Sequence, residues 1–387
     1  MKEEIKAKET GSADFKRILI ISNEFPPGPG GIGNQAFNLA VFFVKANYRV
    51  HVYTASRKEF SDVEFDKTFP FSISRYSVNS SFVTKLKESL YFLFTKGRSF
   101  DYYILSGSVQ LLFAFPLYFF RKSKCISIIH GHELSMATGI YRKLLRLSLR
   151  MSDDVIAVSQ FSKIRLRQYG LKRKIEVVPN GVVVPLGFIR EDYKNFSTDG
   201  VLRLVTVGSI TARKGQQNVI KAIPFLRSIF STIEYHIIGI PTELANLNAT
   251  VRSLGVTENV IVHGVVSEAD KIRILEKMDI FIMLSENLEN GDVEGFGIAI
   301  IEANLLGIPA IGSRGTGVEQ AIDHGSSGVL VNSYNPEEIG KAIMQIKNSY
   351  NNFSESSIKW AQKHDWSYIG DAYVAVMKSN YDKLTML

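Results

Sequence analysis

The sequence predicts an α/β protein of two doubly wound domains, each a parallel sheet with helices on both faces, and three observations support this. The chain has 387 residues, about two and a half times an ordinary domain. Short β-branched or aromatic runs alternate with amphipathic helical windows from end to end. Residues 181–200, GVVVPLGFIREDYKNFSTDG, lose that period and carry turn residues at both ends. These limits give a leader at 1–15, a first domain at 16–185, a linker at 186–200 and a second domain at 201–365. Residues 366–387 form a last helix expected to pack back on the first domain.

Taken in order, the leader MKEEIKAKETGSADF has lysines with no apolar core behind them, so it reads as disordered and not as a signal peptide or anchor. The strands of the first half are expected at Arg17–Ser22, Arg49–Thr54, Ile73–Val78, Tyr102–Leu105, Cys125–His130, Val155–Val158 and Ile175–Val178. Those of the second are expected at Arg203–Val207, Tyr235–Ile238, Val260–Val262, Ile280–Leu284, Ala310–Ile311 and Val329–Val331. Tyr102–Phe120 is uncharged and almost long enough to span a bilayer. Ser106, Gly107, Ser108, Gln110 and Pro116 divide it into a strand, a turn and an apolar helix, which suits buried core. Two wound sheets joined by a hinge leave a cleft at the carboxyl ends of their strands, so functional residues are expected just after strands.

Composition is that of an ordinary globular protein, and the single cysteine, Cys125, excludes a disulfide framework or a multi-cysteine metal cluster. The net charge of +8 is unevenly placed: residues 1–185 carry +13 and the remainder −5. A basic first half suits an anionic surface, nucleic acid or acidic membrane, or is simply solvated.

After the first strand, Gly28, Gly30 and Gly33 satisfy GxGxxG. The nicotinamide reading also needs a tight turn directly after the strand and an acidic residue ending the second strand, and neither is present. What remains is a glycine loop opening a helix near Asn34, either an anion site or a structural turn. The most specific signal is GDVEGFGIAIIEANLLGIPAIGS, Gly291–Ser313, in which Glu294 and Glu302 flank Gly295 and Gly297. A helix starting near Gly297 puts Glu302 on its second turn and Glu294 on the loop at its positive end. In VGSITARKG, Arg213 and Lys214 precede a helix start, the form of a diphosphate clamp or of a basic helix cap.

These motifs resemble the retaining glycosyltransferases of family 4, with the GT-B fold of two Rossmann-like domains facing each other across a cleft. The resemblance runs from Arg17 to the last helix, and GDVEGFGIAIIEA is especially similar to members using GDP-mannose. VPNGV at Val178–Val182 is another family phrase. The resemblance implies that Glu302 receives the ribose hydroxyls, Glu294 holds the donor sugar, and Lys214 with Arg213 binds the diphosphate. Gly30 and Gly31 supply backbone donors, Gly295, Phe296, Gly297 and Ile298 complete the sugar pocket, and His130 of HGHE holds a sugar hydroxyl. Gly208 and Ser209 form the turn before the clamp. Many members carry arginine where Ser209 stands, and Arg213 is expected to replace that cation. His263 and Gly264 line the base pocket or belong to the core.

The implied enzyme moves a hexose, mannose by this similarity, from a nucleotide sugar to a lipid-linked or polysaccharide acceptor in cell-surface glycan synthesis. No Asp-x-Asp pair follows a suitable strand, so no metal and no cofactor beyond the donor is expected. His130, His132 and Glu133 lack a third imidazole or thiolate for a metal site. Arg142, Arg146 and Arg150 recur every fourth residue with Lys143 beside them, and Phe82–Arg98 is basic and amphipathic. Both suit an anionic bilayer or a packed core rim. Nucleic acid is not expected, because the aromatics lie in apolar runs. The expected location is the cytoplasmic membrane face, held peripherally. Rival readings are an epimerase or phosphorylase of the same fold, and a non-catalytic nucleotide-sugar sensor, which only Ser209 favours.

Overall fold

The computed structural model describes residues 15–28, 30–56, 60–77, 82–96, 99–120, 123–135, 137–184 and 194–379. The chain divides into two compact units. The first holds the residues up to Val178, apart from Ser159–Phe161, and those from Trp366 onward; the second holds Ser159–Phe161 and Pro179–Asp365.

The first unit is a seven-stranded parallel sheet. Its strands are β1 (Arg17–Ser22), β2 (Arg49–Ser56), β3 (Ser72–Ser77), β4 (Tyr102–Ser106), β5 (Lys124–Ile129), β6 (Asp154–Ala157) and β7 (Glu176–Val177), in the order β3-β2-β1-β4-β5-β6-β7. β1 is apolar from Ile18 to Ile21 because both its faces are covered there; these four residues are fully buried. Helices α1 (Gly31–Lys45), α2 (Phe60–Asp66), α3 (Phe82–Thr95), α4 (Ala114–Phe120), α5 (Gly139–Met151) and α6 (Gln160–Gln168) connect the strands. The strand order reverses between β1 and β4. Right-handed crossovers therefore put α1 and α2 on one face and α3, α4 and α5 on the other. One core cluster accordingly joins Phe92, Leu117 and Leu145 to Leu19, Tyr103 and Leu105.

The second unit is a six-stranded parallel sheet. Its strands are β8 (Val201–Val207), β9 (Thr232–Ile238), β10 (Val260–Gly264), β11 (Ile280–Met283), β12 (Ala310–Ser313) and β13 (Gly328–Val331), in the order β10-β9-β8-β11-β12-β13. Helices α7 (Gln216–Leu226), α8 (Leu244–Ser253), α9 (Glu268–Leu275), α10 (Ile298–Leu305), α11 (Pro336–Asn348) and α12 (Tyr350–Gln362) wrap it. Here the order reverses between β8 and β11. Helix α13 (Trp366–Lys378) packs on the first unit, where Gln35 Nε2 donates to Tyr373 Oη over 2.8 Å and Lys124 Nζ donates to the Val376 carbonyl over 2.7 Å.

Three expectations change. The end of the linker belongs to the second domain: Ser197 donates to Asp279 from both N and Oγ, and Phe196 packs on Tyr350. Residues 185–193, and 1–14 of the leader, lie outside the described residues. Helix α1 starts at Gly31, three residues before Asn34, because Gly30 turns the chain and its carbonyl already accepts from Asn34 N. The apolar run Tyr102–Phe120 is only partly core. Leu111, Phe113, Ala114 and Leu117 are buried, whereas Phe115, Tyr118 and Phe119 face outward, one side of α4 being uncovered among the described residues. Among the described residues, no helix is long and apolar enough to cross a membrane.

Candidate functional site

In a doubly wound sheet the ligand site lies at the carboxyl ends of the strands, where the strand order reverses.

In the first unit the reversal brings together the ends of β1, β4 and β5, with Ser22 opposite Ser106 and Ser106 opposite Ile128. Ser22 Oγ donates to the Glu24 carbonyl over 2.7 Å and opens the glycine loop. The glycines there differ in kind. A Cβ on Gly30, whose φ is +153°, would fall 2.1 Å from Glu24 Oε2, and one on Gly33 would fall 3.0 Å from Phe25 N, so both serve the loop's own geometry. Gly31 has ordinary φ and nothing within 4 Å of its would-be Cβ. Folding does not require a glycine at that helix start.

His130 follows β5. It is buried, with Nε2 3.0 Å from Ser106 Oγ. Burial lowers its pKa to about 4 against the pull of the Glu133 carboxylate, so the imidazole is neutral near pH 7. Glu133 is fully buried and accepts from the backbone N–H groups of His130 and Gly131, at 3.1 and 2.8 Å. Its role is to clamp the HGHE turn that aims His130. His132 Nδ1 lies 3.7 Å from the same carboxylate. Among the described residues, no group of three or more His, Cys, Asp or Glu is placed to hold a metal ion.

In the second unit the reversal brings the loop after β8 against the loop after β11. Gly215 is left-handed, with φ +72°, and a Cβ there would lie 1.7 Å from the Leu284 carbonyl, so only glycine permits this approach. The Glu286 N–H donates to the Arg213 carbonyl over 2.9 Å. These contacts carry Arg213 and Lys214 to Glu294. The Glu294 carboxylate is ion-paired with the Arg213 guanidinium and lies 2.7 Å from Lys214 Nζ. Burial by itself would raise its pKa, but the two cations overcome that and hold it at about 2. Asp292 takes the other side of Arg213, at 3.2 Å. Arg213 and Lys214 thus form one charged pair on a common carboxylate, at the end of the β8 turn where Ser209 stands. The Ser209 carbonyl accepts from Gln216 Nε2 at 3.0 Å, and Gly208 N donates to Ile238 O over 2.8 Å.

Gly297 caps α10 with φ +91°, so Ile298 opens the helix, which has no side-chain cap. Phe296 is buried and packs on His364 with ring centroids 5.9 Å apart, so this residue can offer a pocket only its backbone. Glu302 is partly exposed on α10, and Lys271 Nζ of α9 lies 3.1 Å from it. His263 Nε2 lies 2.9 Å from His236 Nδ1 and the rings stack, while Gly264 has φ +69° and an open would-be Cβ position.

The basic stripe is divided. Arg142 lies over the Tyr169 ring and Arg146 Nη2 donates to the Gly170 carbonyl over 3.1 Å, so both lean onto their own domain, and Arg146 is half-buried. Lys143 and Arg150 point to solvent. Arg142 is nonetheless exposed, so of the four expected cations only Arg146 is drawn partly inward. In the Phe82–Arg98 window, Arg98 and the side chains of residues 82–86 lie outside what is described.

Sequence reasoning missed Asp292, Lys271, Ser106 and Gly317. A Cβ on Gly317 would lie 2.1 Å from the Glu294 carbonyl, so the β12 loop braces the carboxylate loop from behind. Asp292 lies two residues before Glu294 in the motif and was open to notice. Lys271 and Gly317 have no local signal.

Known families match both halves. Residues 29–184 match Glycosyltransferase Family 4 and residues 189–364 match Glycosyl transferases group 1. The chain is a glycosyltransferase built from this pair of domains. It is 24% identical over 345 residues to a GDP-mannose-dependent monoacylated alpha-(1-6)-phosphatidylinositol monomannoside mannosyltransferase of Corynebacterium glutamicum, covering 86% of this chain and 88% of the relative. It is 26% identical over 233 residues to the putative colanic acid biosynthesis glycosyltransferase WcaL of Escherichia coli, covering 58% and 54%. Among solved structures, HepE of Anabaena in complex with UDP and glucose superposes with a TM-score of 0.74 at 16% identity, covering 94% of this glycosyltransferase and all of HepE. That likeness shows the GT-B fold.

Proposed function

We propose that this glycosyltransferase moves a hexose, mannose in the first instance, from a nucleoside diphosphate to a lipid-linked or polysaccharide acceptor, with retention and without a metal ion. The observation that carries the reading is the cation pair of Arg213 and Lys214 on nearly buried Glu294, at the strand reversal of the second domain. A departing diphosphate needs concentrated positive charge in a site of low polarity, and two adjacent cations at a helix start supply it. Arg213 takes the part that Ser209 leaves vacant, which favours an enzyme over a sensor. Glu294 then passes from the cations to the sugar hydroxyls, Glu302 receives the ribose, and neutral His130 holds a sugar hydroxyl. Gly31 leaves room for backbone N–H groups to approach the donor.

Mannose and GDP are favoured by the Corynebacterium relative, whose name gives a GDP-mannose donor and a phosphatidylinositol mannoside acceptor. The WcaL likeness favours surface polysaccharide. The lipid acceptor and the basic first half favour peripheral action at the cytoplasmic membrane face. A thermal-shift panel of GDP, UDP, ADP and their sugar conjugates tests the donor. A shift confined to one nucleotide and its sugar conjugate is expected; no shift with any of them overturns the reading. Glycosyl transfer undiminished in EDTA checks metal independence.

A further inference from the structure

We infer that the outer face of α4 and α5 docks on an anionic lipid bilayer by inserting apolar side chains, with Lys143 and Arg150 as its charged edge. The inference rests on the transferase reading, to which it adds where and how the membrane is held. Phe115, Tyr118 and Phe119 are spaced three and one apart on α4 and form a surface aromatic cluster with centroids 5.4 Å apart. Phe119 is 60% exposed. On α5, Ile140, Leu144 and Leu147 are outward, Ile140 by 77%. At 100° per residue they occupy an arc of about 60°.

The two apolar groups share one surface. Tyr141 and Ser148, next to Leu144 around α5, contact the chain that leads into α4: Tyr141 Oη donates to the Ser108 carbonyl and Ser148 Oγ to the Leu111 carbonyl, each over 2.6 Å, and Phe115 N donates to Ser148 Oγ over 3.1 Å. The apolar arc of α5 is therefore on the side toward α4. Lys143 and Arg150 lie on the opposite border of that arc. Exposed apolar patches of this kind mark interaction sites.

Charge selects the occupant. Neither helix, AFPLYFF nor GIYRKLLRLSLRM, contains an acidic residue, and residues 1–185 carry +13. A second copy meeting this face across a two-fold axis would set like charges together. An anionic interface accepts both the cations and the aromatic rings.

The test is co-sedimentation with vesicles of phosphatidylcholine alone or mixed with phosphatidylglycerol, at low and high salt. Wild type is expected to bind the mixed vesicles and to keep part of that binding at high salt. A Phe119→Ser, Leu144→Ser double variant is expected to lose at least about tenfold in partitioning at both salts. Lys143→Gln and Arg150→Gln are expected to lose roughly fivefold each, at low salt only. All positions are solvent-facing, and unchanged melting confirms the fold. A double variant that partitions like wild type overturns the inference. So does wild type that ignores mixed vesicles at low salt, or one that forms a dimer which the double variant abolishes while vesicle binding is absent. The nucleotide thermal-shift panel, run without vesicles, separates the two readings: if the shift persists while vesicle binding is missing, only the docking face falls, whereas no shift with any nucleotide overturns the proposed donor chemistry itself.

Discussion

Replacing Glu294 with glutamine is expected to tighten the binding of a bare nucleoside diphosphate while lowering transfer. Without ligand, the carboxylate already occupies the two cations assigned to the diphosphate, at 2.7 Å from Lys214 and in contact with Arg213. Depression of its pKa from 4.5 to about 2 corresponds, at about 1.4 kcal/mol per pH unit, to roughly 3 kcal/mol in favour of the ionised form. A diphosphate must displace that carboxylate or share the cations with it. Glutamine removes the competing charge, but Asp292 still holds one side of Arg213, so about half of the 3 kcal/mol is returned, or roughly a tenfold gain in affinity. Transfer from the sugar nucleotide is expected to fall on the order of a hundredfold or more, because the sugar loses its charged partner. Titration calorimetry of GDP and UDP against both proteins, with steady-state transfer alongside, measures the two effects. A well-folded variant that binds the diphosphate no better than wild type refutes the competition argument and makes the ion pairs structural. Acid denaturation gives a second arm. The folded carboxyl is depressed, so its stabilisation is complete above about 4.5 and is lost as pH falls toward 2; the glutamine variant lacks that part of the acid limb.

Glu302→Ala is expected to weaken nucleotide binding by about tenfold or more, since a ribose would lose charged hydrogen bonds, as measured by calorimetry. Gly31→Ala should leave the melting temperature unchanged or slightly raised, because its Cβ meets nothing, and should lower transfer if the donor approaches there; unchanged transfer removes Gly31 from the site. Gly215→Ala should cost stability heavily, well beyond 1 kcal/mol, since its Cβ would meet the Leu284 carbonyl, and chemical denaturation reads this directly. His130 has a folded pKa of about 4, below the roughly 6.5 of an unfolded histidine. The unfolded chain therefore binds more protons between those values, and stability rises with pH across that window; His130→Gln should flatten the rise, followed by denaturant midpoints from pH 4 to 7.

The fold was legible because a parallel strand covered on both faces must be apolar throughout, so RILIIS, CISII and IFIM announce themselves without alternation. Glu294, Arg213 and Lys214 were legible for a related reason: they lie on the loops that follow β11 and β8, and the reversal of strand order brings those loops together. What escaped was whatever depends on the backs of loops. Gly317 supports Glu294 from a loop more than twenty residues onward, and Lys271 reaches Glu302 from another helix; no periodicity marks either. The basic stripe shows the opposite failure. Spacing put Arg142, Arg146 and Arg150 on one side of α5, yet a long side chain goes where its head finds partners, and two of the three found Tyr169 and the Gly170 carbonyl within their own domain. Ile140, Leu144 and Leu147 face outward there beside Lys143 and Arg150, although a sequence reading assigns such apolar side chains to the core by default. Charge spacing was therefore a poor guide to this surface. The informative quantity is apolar area left uncovered after folding, because hydrophobic side chains remain outside at a free-energy cost that only a partner removes.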